Sequence, residues 1–178
     1  FVHEVLAAQP ELRVINLDKL TYAGNLANLA DLKHEPRHLF VRGDVADAQL
    51  VTALLQQHQP QWVLIELGGN DALRGFPIST TENNLKQMIQ AAQAQKAKVL
   101  LLGMEVPPNY GPEYTRNFKQ MFVRLSQQQR IPLVPFWRKG GAEGPDPTAL
   151  FQDARLHPNA QAPPIILGNV WSVLKKWL

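Results

Sequence analysis

Five short apolar runs, at residues 13–18, 38–44, 61–67, 97–104 and 132–136, alternate along this chain with stretches of helical periodicity. The third, WVLIEL, is almost continuously apolar, the pattern of a strand covered on both faces rather than one with a wet side. The helical stretches are 2–9, 47–59, 81–95, 112–129 and 164–178. Leu85, Met88, Ile89 and Ala92 share one face of the third, with Thr80 or Thr81 as its cap. Tyr114, Phe118, Met121, Phe122 and Leu125 share a stripe on the fourth. Strand and helix alternating in this way predict a three-layer α/β sandwich around a five-stranded parallel, flavodoxin-like sheet in the order 2-1-3-4-5. Ligands of such sheets bind beyond the carboxyl ends of the strands, which directs attention to Asp18-Lys19, Gly43-Asp44, Gly68 to Asp71 and residues 105–111.

Composition narrows the chemistry. The chain has 178 residues, suited to one α/β domain over 1–178, and 45% hydrophobic content, enough for a packed core. Cysteine is absent, so thiolate nucleophiles, disulfides and cysteine-ligated metal are excluded. The net charge of +3 comes without a basic tract, which argues against a nucleic-acid partner. No apolar stretch reaches the roughly 18 to 20 residues of a membrane span. The first residue is Phe1, and no signal peptide is legible after it. Serine is distributed unevenly: residues 1–78 have none, and the three that exist are Ser79, Ser126 and Ser172. Charge is uneven as well, with five Lys+Arg against seven Asp+Glu in 1–58 and thirteen against eight in 59–178.

The third run leads straight into Gly68-Gly69-Asn70-Asp71. Two glycines permit close approach of backbone to a ligand, and an Asn amide can donate to a developing oxyanion, although Gly and Asn are equally ordinary in a tight turn. The blocks QHQPQWVLIELGGNDALRGFP, VPPNYGPEYTRNF, IPLVPF and LHPNAQA follow one another in order, and together they resemble the SGNH/GDSL hydrolases over about 54–178. They look closest to the bacterial multifunctional thioesterase/lysophospholipase/arylesterase branch. The resemblance implies acyl transfer to water from small-molecule esters or thioesters, with no cofactor and no metal. It implies Gly68 and Asn70 as the oxyanion hole and His157 as the general base. His3, His34, His38 and His58 read as surface residues.

Two departures stand out. The family's orienting carboxylate lies three residues before the histidine, where this chain has Ala154; Asp153 is displaced by one. The GDSL serine has no counterpart at all. In its place stands LDKLTYAG, with Lys19 at the overlaid position and Thr21 the nearest hydroxyl of the Ser/Thr type. Turnover is therefore expected to be impaired or abolished, since about 1 Å of misplacement can cost roughly 100-fold.

The first third carries a different resemblance. LDKLTYAGNLANLADL followed by RHLFVRGDVADAQLV is similar to the dTDP-glucose 4,6-dehydratases, which hold NAD in a Rossmann unit. That resemblance places Asp18, Lys19, Thr21 and Gly24 near an adenosine ribose and Asp44 and Val45 beside an adenine. The family's glycine-rich phosphate turn would lie before Phe1, and its catalytic Tyr-x-x-x-Lys pair is absent. Without those glycines, Asp18 capping its own turn is the plainer expectation. The chain thus reads as a chimera, dehydratase-like over 1–53 and hydrolase-like over 54–178. A non-catalytic α/β scaffold is the alternative to a weakened hydrolase, and a residual nucleotide-binding module ranks behind both. Hydrolases of this branch are usually exported and the dehydratases are cytosolic, so the two resemblances point to different compartments.

Overall fold

Parallel pairing begins early in the chain. Helix α1 (Val2–Ala8) leads to strand β1 (Val14–Asp18), which pairs with β2 (His38–Arg42) from Val14 opposite His38 to Asp18 opposite Arg42. The connection carries a 3-10 segment, Leu26–Leu32, started by Asn25, whose side-chain oxygen accepts the Ala27 N–H at 2.9 Å. Helix α2 (Ala48–His58) follows, with Asp47 Oδ1 accepting the N–H groups of Gln49 and Leu50 at its start. Arg37 ties the end of α1: its guanidinium donates to the carbonyls of Leu6 at 2.9 Å and Pro10 at 3.1 Å, while Glu35 holds its other edge. The Leu6 carbonyl is one that the last turn of a seven-residue helix leaves without a partner of its own.

The computed structural model describes residues 1–21, 24–106, 108–135 and 163–176. They fall into two compact units, Phe1–His58 and Gln59–Leu178. The second unit opens with β3 (Trp62–Ile65) and the five-residue helix α3 (Gly69–Leu73). Then come α4 (Ile78–Ala94), β4 (Lys98–Leu102), α5 (Pro112–Gln129), β5 (Leu133–Val134) and α6 (Pro163–Leu174). Its sheet is parallel, in the order β3-β4-β5. Successive residues of β4 point to opposite faces. Val99 and Leu101 join Leu85 and Ile89 of α4 and Phe118, Met121, Phe122 and Leu125 of α5 in one cluster. Leu100 and Leu102 join Val134 of β5 and Val170 and Leu174 of α6 in another. Both faces of β4 are thereby dry, which is why its sequence, KVLLL, shows no alternation.

All five expected strands form; among the described residues the first unit has the parallel pair β1-β2 and the second the three-stranded sheet β3-β4-β5, and the expected five-stranded sheet is not seen as one ladder. Each is shorter than its apolar run, and β5 keeps only two residues. The bond from Gly103 N–H to the Val134 carbonyl, 2.8 Å, ends that pairing. The expected Thr80 or Thr81 cap is corrected: α4 begins three residues earlier, after Pro77. Ile78 is thereby brought against the core, and Thr81 lies inside the helix, 2% exposed.

Candidate functional site

Among the described residues, the end of β3 and the start of α3 form a polar segment held by side chains from α4 and α5. Gly68 precedes α3 with φ +108°, a backbone region that only glycine occupies without strain. A Cβ there would meet Thr81 Cγ2 at 3.1 Å and would also touch Phe122 and Leu85. At Gly69 a Cβ would meet the Met104 sulfur at 3.1 Å. Both glycines of the motif therefore answer to close packing from α4, α5 and the residues after β4. What reads in sequence as a tight turn is the first turn of a helix.

Asn70 and Asp71 sit in that first turn with different surroundings. Asn70 is exposed. Asp71 is half-buried, and its Oδ2 accepts the hydroxyl proton of buried Thr81 at 3.1 Å. Its backbone carbonyl accepts the Phe76 N–H at 3.0 Å, turning the chain after α3. Two tyrosines complete the support from the other side. Tyr110 donates to the Leu73 carbonyl at 3.2 Å. Tyr114, on the first turn of α5, donates to the Phe76 carbonyl at 3.1 Å and more weakly to that of Ala72 at 3.4 Å. Burial, with the Asp71 carboxylate and then Tyr110 adding to it, pushes the Tyr114 phenol above its ordinary range. In the sequence Tyr114 belongs to an apolar stripe, Tyr110 only to the VPPNYGPEYTRNF block, and Thr81 reads as a cap of its own helix and not as a partner of Asp71. The Tyr-x-x-x-Tyr spacing, which can bring both rings to one side, was the available signal.

The remaining hydrolase residues are distributed as follows. His157 and Asp153 lie outside the described residues. Lys19 and Thr21 belong to the first unit, whereas Gly68 and Asn70 belong to the second. Thr21 is exposed, and its carbonyl accepts the Gly24 N–H at 2.9 Å. Between them Leu20 takes a left-handed backbone at φ +53°.

The residues expected at a nucleotide site are engaged with one another. The Asp18 carboxylate accepts the Leu20 N–H at 2.6 Å, and its carbonyl accepts the Gly43 N–H at 3.0 Å. Lys19 is paired with Asp44, which also accepts the Ala46 N–H at 2.9 Å. The Lys19 ammonium and then that amide hold the Asp44 carboxyl below its usual range. Val45 is half-buried, and a Cβ at Gly24 would come within 2.8 Å of Leu20 Cα. Among the described residues no group of three or more His, Cys, Asp or Glu is placed to hold a metal ion. No described helix is long and apolar enough to cross a membrane.

Comparison with known proteins agrees with the motif reading and widens it. The model of the GDSL-like Lipase/Acylhydrolase family matches residues 1–162, so the match takes in β1 and β2 as well as the later blocks. Esterase TesA of Pseudomonas aeruginosa is 42% identical over 142 residues, 78% of this chain and 68% of that protein. Thioesterase 1/protease 1/lysophospholipase L1 of Escherichia coli is 41% identical over 128 residues, 71% of this chain and 60% of its own length. The chain thus spans about two thirds of these relatives. A crystal structure of TesA superposes with a TM-score of 0.71 at 34% identity, covering 93% of this chain and all of the other. A separate likeness covers 53 residues, 30% of the chain: dTDP-glucose 4,6-dehydratase of Xanthomonas campestris is 60% identical there, over 15% of its own length.

Proposed function

Because the chain belongs to the GDSL-like lipase/acylhydrolase family, with the α/β fold of the SGNH hydrolases, we propose that it carries an ester- and thioester-hydrolysing site that has lost its nucleophile. The observation behind this reading is the Gly68–Asp71 segment, in which Asn70 is exposed at the head of α3 while Gly68 and Asp71 are tied into the surrounding helices. In the proposed site the Asn70 carboxamide and the Gly68 N–H donate to the oxygen of an acyl carbonyl as negative charge develops on it. His157 is the base, and Asp153, one residue from the family's usual spacing, is the carboxylate that orients it. The names of the relatives supply the substrate class: an esterase, a thioesterase and lysophospholipase, and an arylesterase. Small acyl esters and thioesters are accordingly the proposed substrates.

No serine precedes Ser79, so nothing in the first two strands can form a serine acyl-enzyme. Thr21 is the hydroxyl of the Ser/Thr type near the end of β1. Loss of the nucleophile from a triad costs on the order of 10⁶ in kcat, and the oxyanion donors together with substrate binding retain roughly 10³-fold over water. Weak hydrolysis of p-nitrophenyl butyrate is therefore expected, without a burst. It falls further in Asn70→Ala, whereas His157→Ala changes it little, because the base acts through the missing nucleophile. A fluorophosphonate probe leaves the intact chain unlabelled by mass spectrometry. Stoichiometric labelling of any residue would overturn the lost-nucleophile reading, and turnover indifferent to Asn70→Ala would overturn the assignment of the site.

A further inference from the structure

Helix α3 is five residues long and begins Gly-Gly-Asn-Asp, counting its Gly68 cap, so its own propensity does not hold it. Its fixed points come from elsewhere. On one side the Thr81 hydroxyl of α4 holds Asp71. On the other, Tyr114 of α5 places its one hydroxyl proton between the carbonyls of Phe76 and Ala72, 3.1 and 3.4 Å away. Ala72 O already receives the Gly75 N–H at 3.0 Å, so the shorter bond, to Phe76, is where the tyrosine adds most. Tyr110 acts one residue along, on Leu73, and its ring centre is 6.4 Å from that of Tyr114. Asn70 is thus carried on a segment fastened at its far end by phenol hydroxyls some 40 residues later in the chain.

We propose that Tyr114 is a positioning residue for Asn70, fastening the α3 segment to α5 so that the carboxamide is presented in one orientation. This rests on the oxyanion role proposed above for Asn70. The hydroxyl is the working group, because the ring alone packs against the core whether or not the oxygen is there. Tyr110, bonded to a single carbonyl and at the exposed margin, has the smaller share. Ionisation acts in the same direction as deletion. A phenolate has no proton to share, and it would face two carbonyls, the Asp71 carboxylate and the Tyr110 phenol.

The test is Tyr114→Phe in the full chain, compared with Tyr110→Phe and with the unaltered protein. Removing a donor of this kind is expected to speed amide exchange across residues 70–76 by about tenfold, while the 98–102 amides keep their protection. The Asn70 side-chain amide signals, assigned by their loss in Asn70→Ala, shift and broaden in Tyr114→Phe and much less in Tyr110→Phe. Unchanged exchange over 70–76, or loss of protection throughout β4 as well, would overturn the proposal. So would faster exchange with Asn70 signals that stay in place, since the tyrosine would then brace the loop without orienting the amide. None of these readouts needs turnover, so the fate of the hydrolase assignment is read separately from the esterase assay.

Discussion

Glycines at the ends of strands set what single residues tolerate in this protein. At Gly103 an added Cβ would lie 2.2 Å from the Pro135 carbonyl oxygen and 3.1 Å from that of Val134. Backbone atoms cannot step aside as a flexible side chain can, so the β4–β5 junction must open. Gly75 is the control: its φ is +68°, but nothing lies within 4 Å of the added atom. Gly103→Ala should cost about 2 to 4 kcal/mol, an overpacking effect at the upper end of single-site losses. Gly75→Ala should cost only the left-handed penalty, about 1 to 2 kcal/mol. Urea midpoints at constant slope measure both, and equal losses would refute the distinction. Gly68 combines the two effects, with a positive φ and a 3.1 Å neighbour. Residue-scale reading of the sequence found the Gly68–Asp71 motif but missed what holds it. The partners Thr81, Tyr110 and Tyr114 stand 10 to 42 residues away from the groups they support, beyond any local window.

At the scale of elements, long amphipathic helices were legible and short ones were not. Helix α5 matches its expected span from Pro112 to Gln129, because five apolar positions repeat at helical spacing and proline opens it. Helix α3 was invisible, since its helicity is imposed by tertiary donors. The stretch Leu26–Leu32 is two short 3-10 turns joined at a kink, where Leu29 leaves helical geometry at φ −124° and ψ +15°, and turns so short leave no periodic signal. Thr80 and Thr81 resemble caps and so point to a late start for α4, whereas burial of Ile78 and Thr81 draws the start back to Ile78. The C-cap of α5 offers an element-scale prediction. Arg130 sits there at φ +53° and ψ +49°, a position that glycine normally fills. Arg130→Gly removes about 1 to 2 kcal/mol of left-handed strain against an added entropy cost of about 0.5 to 1. A modest rise in Tm by calorimetry is expected, and a fall would show that the arginine side chain outweighs its backbone.

Across the whole chain the two units differ in what sustains them. Phe1–His58 has three carboxyls held below their usual range: Asp31 by His3, Glu35 by Arg37 and Asp44 by Lys19. A carboxyl with a lowered folded-state pKa binds fewer protons folded than unfolded, so its stabilisation is complete above about pH 4 and fades as pH falls through the lowered values. His3–Asp31 and Lys19–Asp44 are largely exposed and Glu35–Arg37 is part-buried, so the effect is small and weakens in salt, least for the last pair. Amide exchange within residues 1–58 should accelerate as pH drops from 5 towards 2, after correction for intrinsic rates, and more gently in 0.5 M salt. A flat response would dismiss these pairs as contributors. Tryptophan fluorescence cannot substitute for that measurement, because Trp62, Trp137, Trp171 and Trp177 all follow residue 58. Composite ancestry was legible from the serine gap and the two sets of motifs. The family match from residue 1 was not, because the first third carries dehydratase-like local sequence on strands that pair in parallel.

The double-sided burial of β4 carries a consequence for how the chain finds its pairing. In an alternating strand, a slip of one residue turns every apolar side chain to water, so the error is rejected at once. Val99 to Leu102 give no such penalty, because a slipped strand would still present an apolar residue to each cluster. Register must then be proofread at the strand's two ends. At one, Lys98 lies over the Trp62 ring, 5.2 Å from its centre. At the other, Gly103 admits the Pro135 carbonyl where no larger residue fits. Alignment information in the central strand is stored in its punctuation and not in its hydrophobic text.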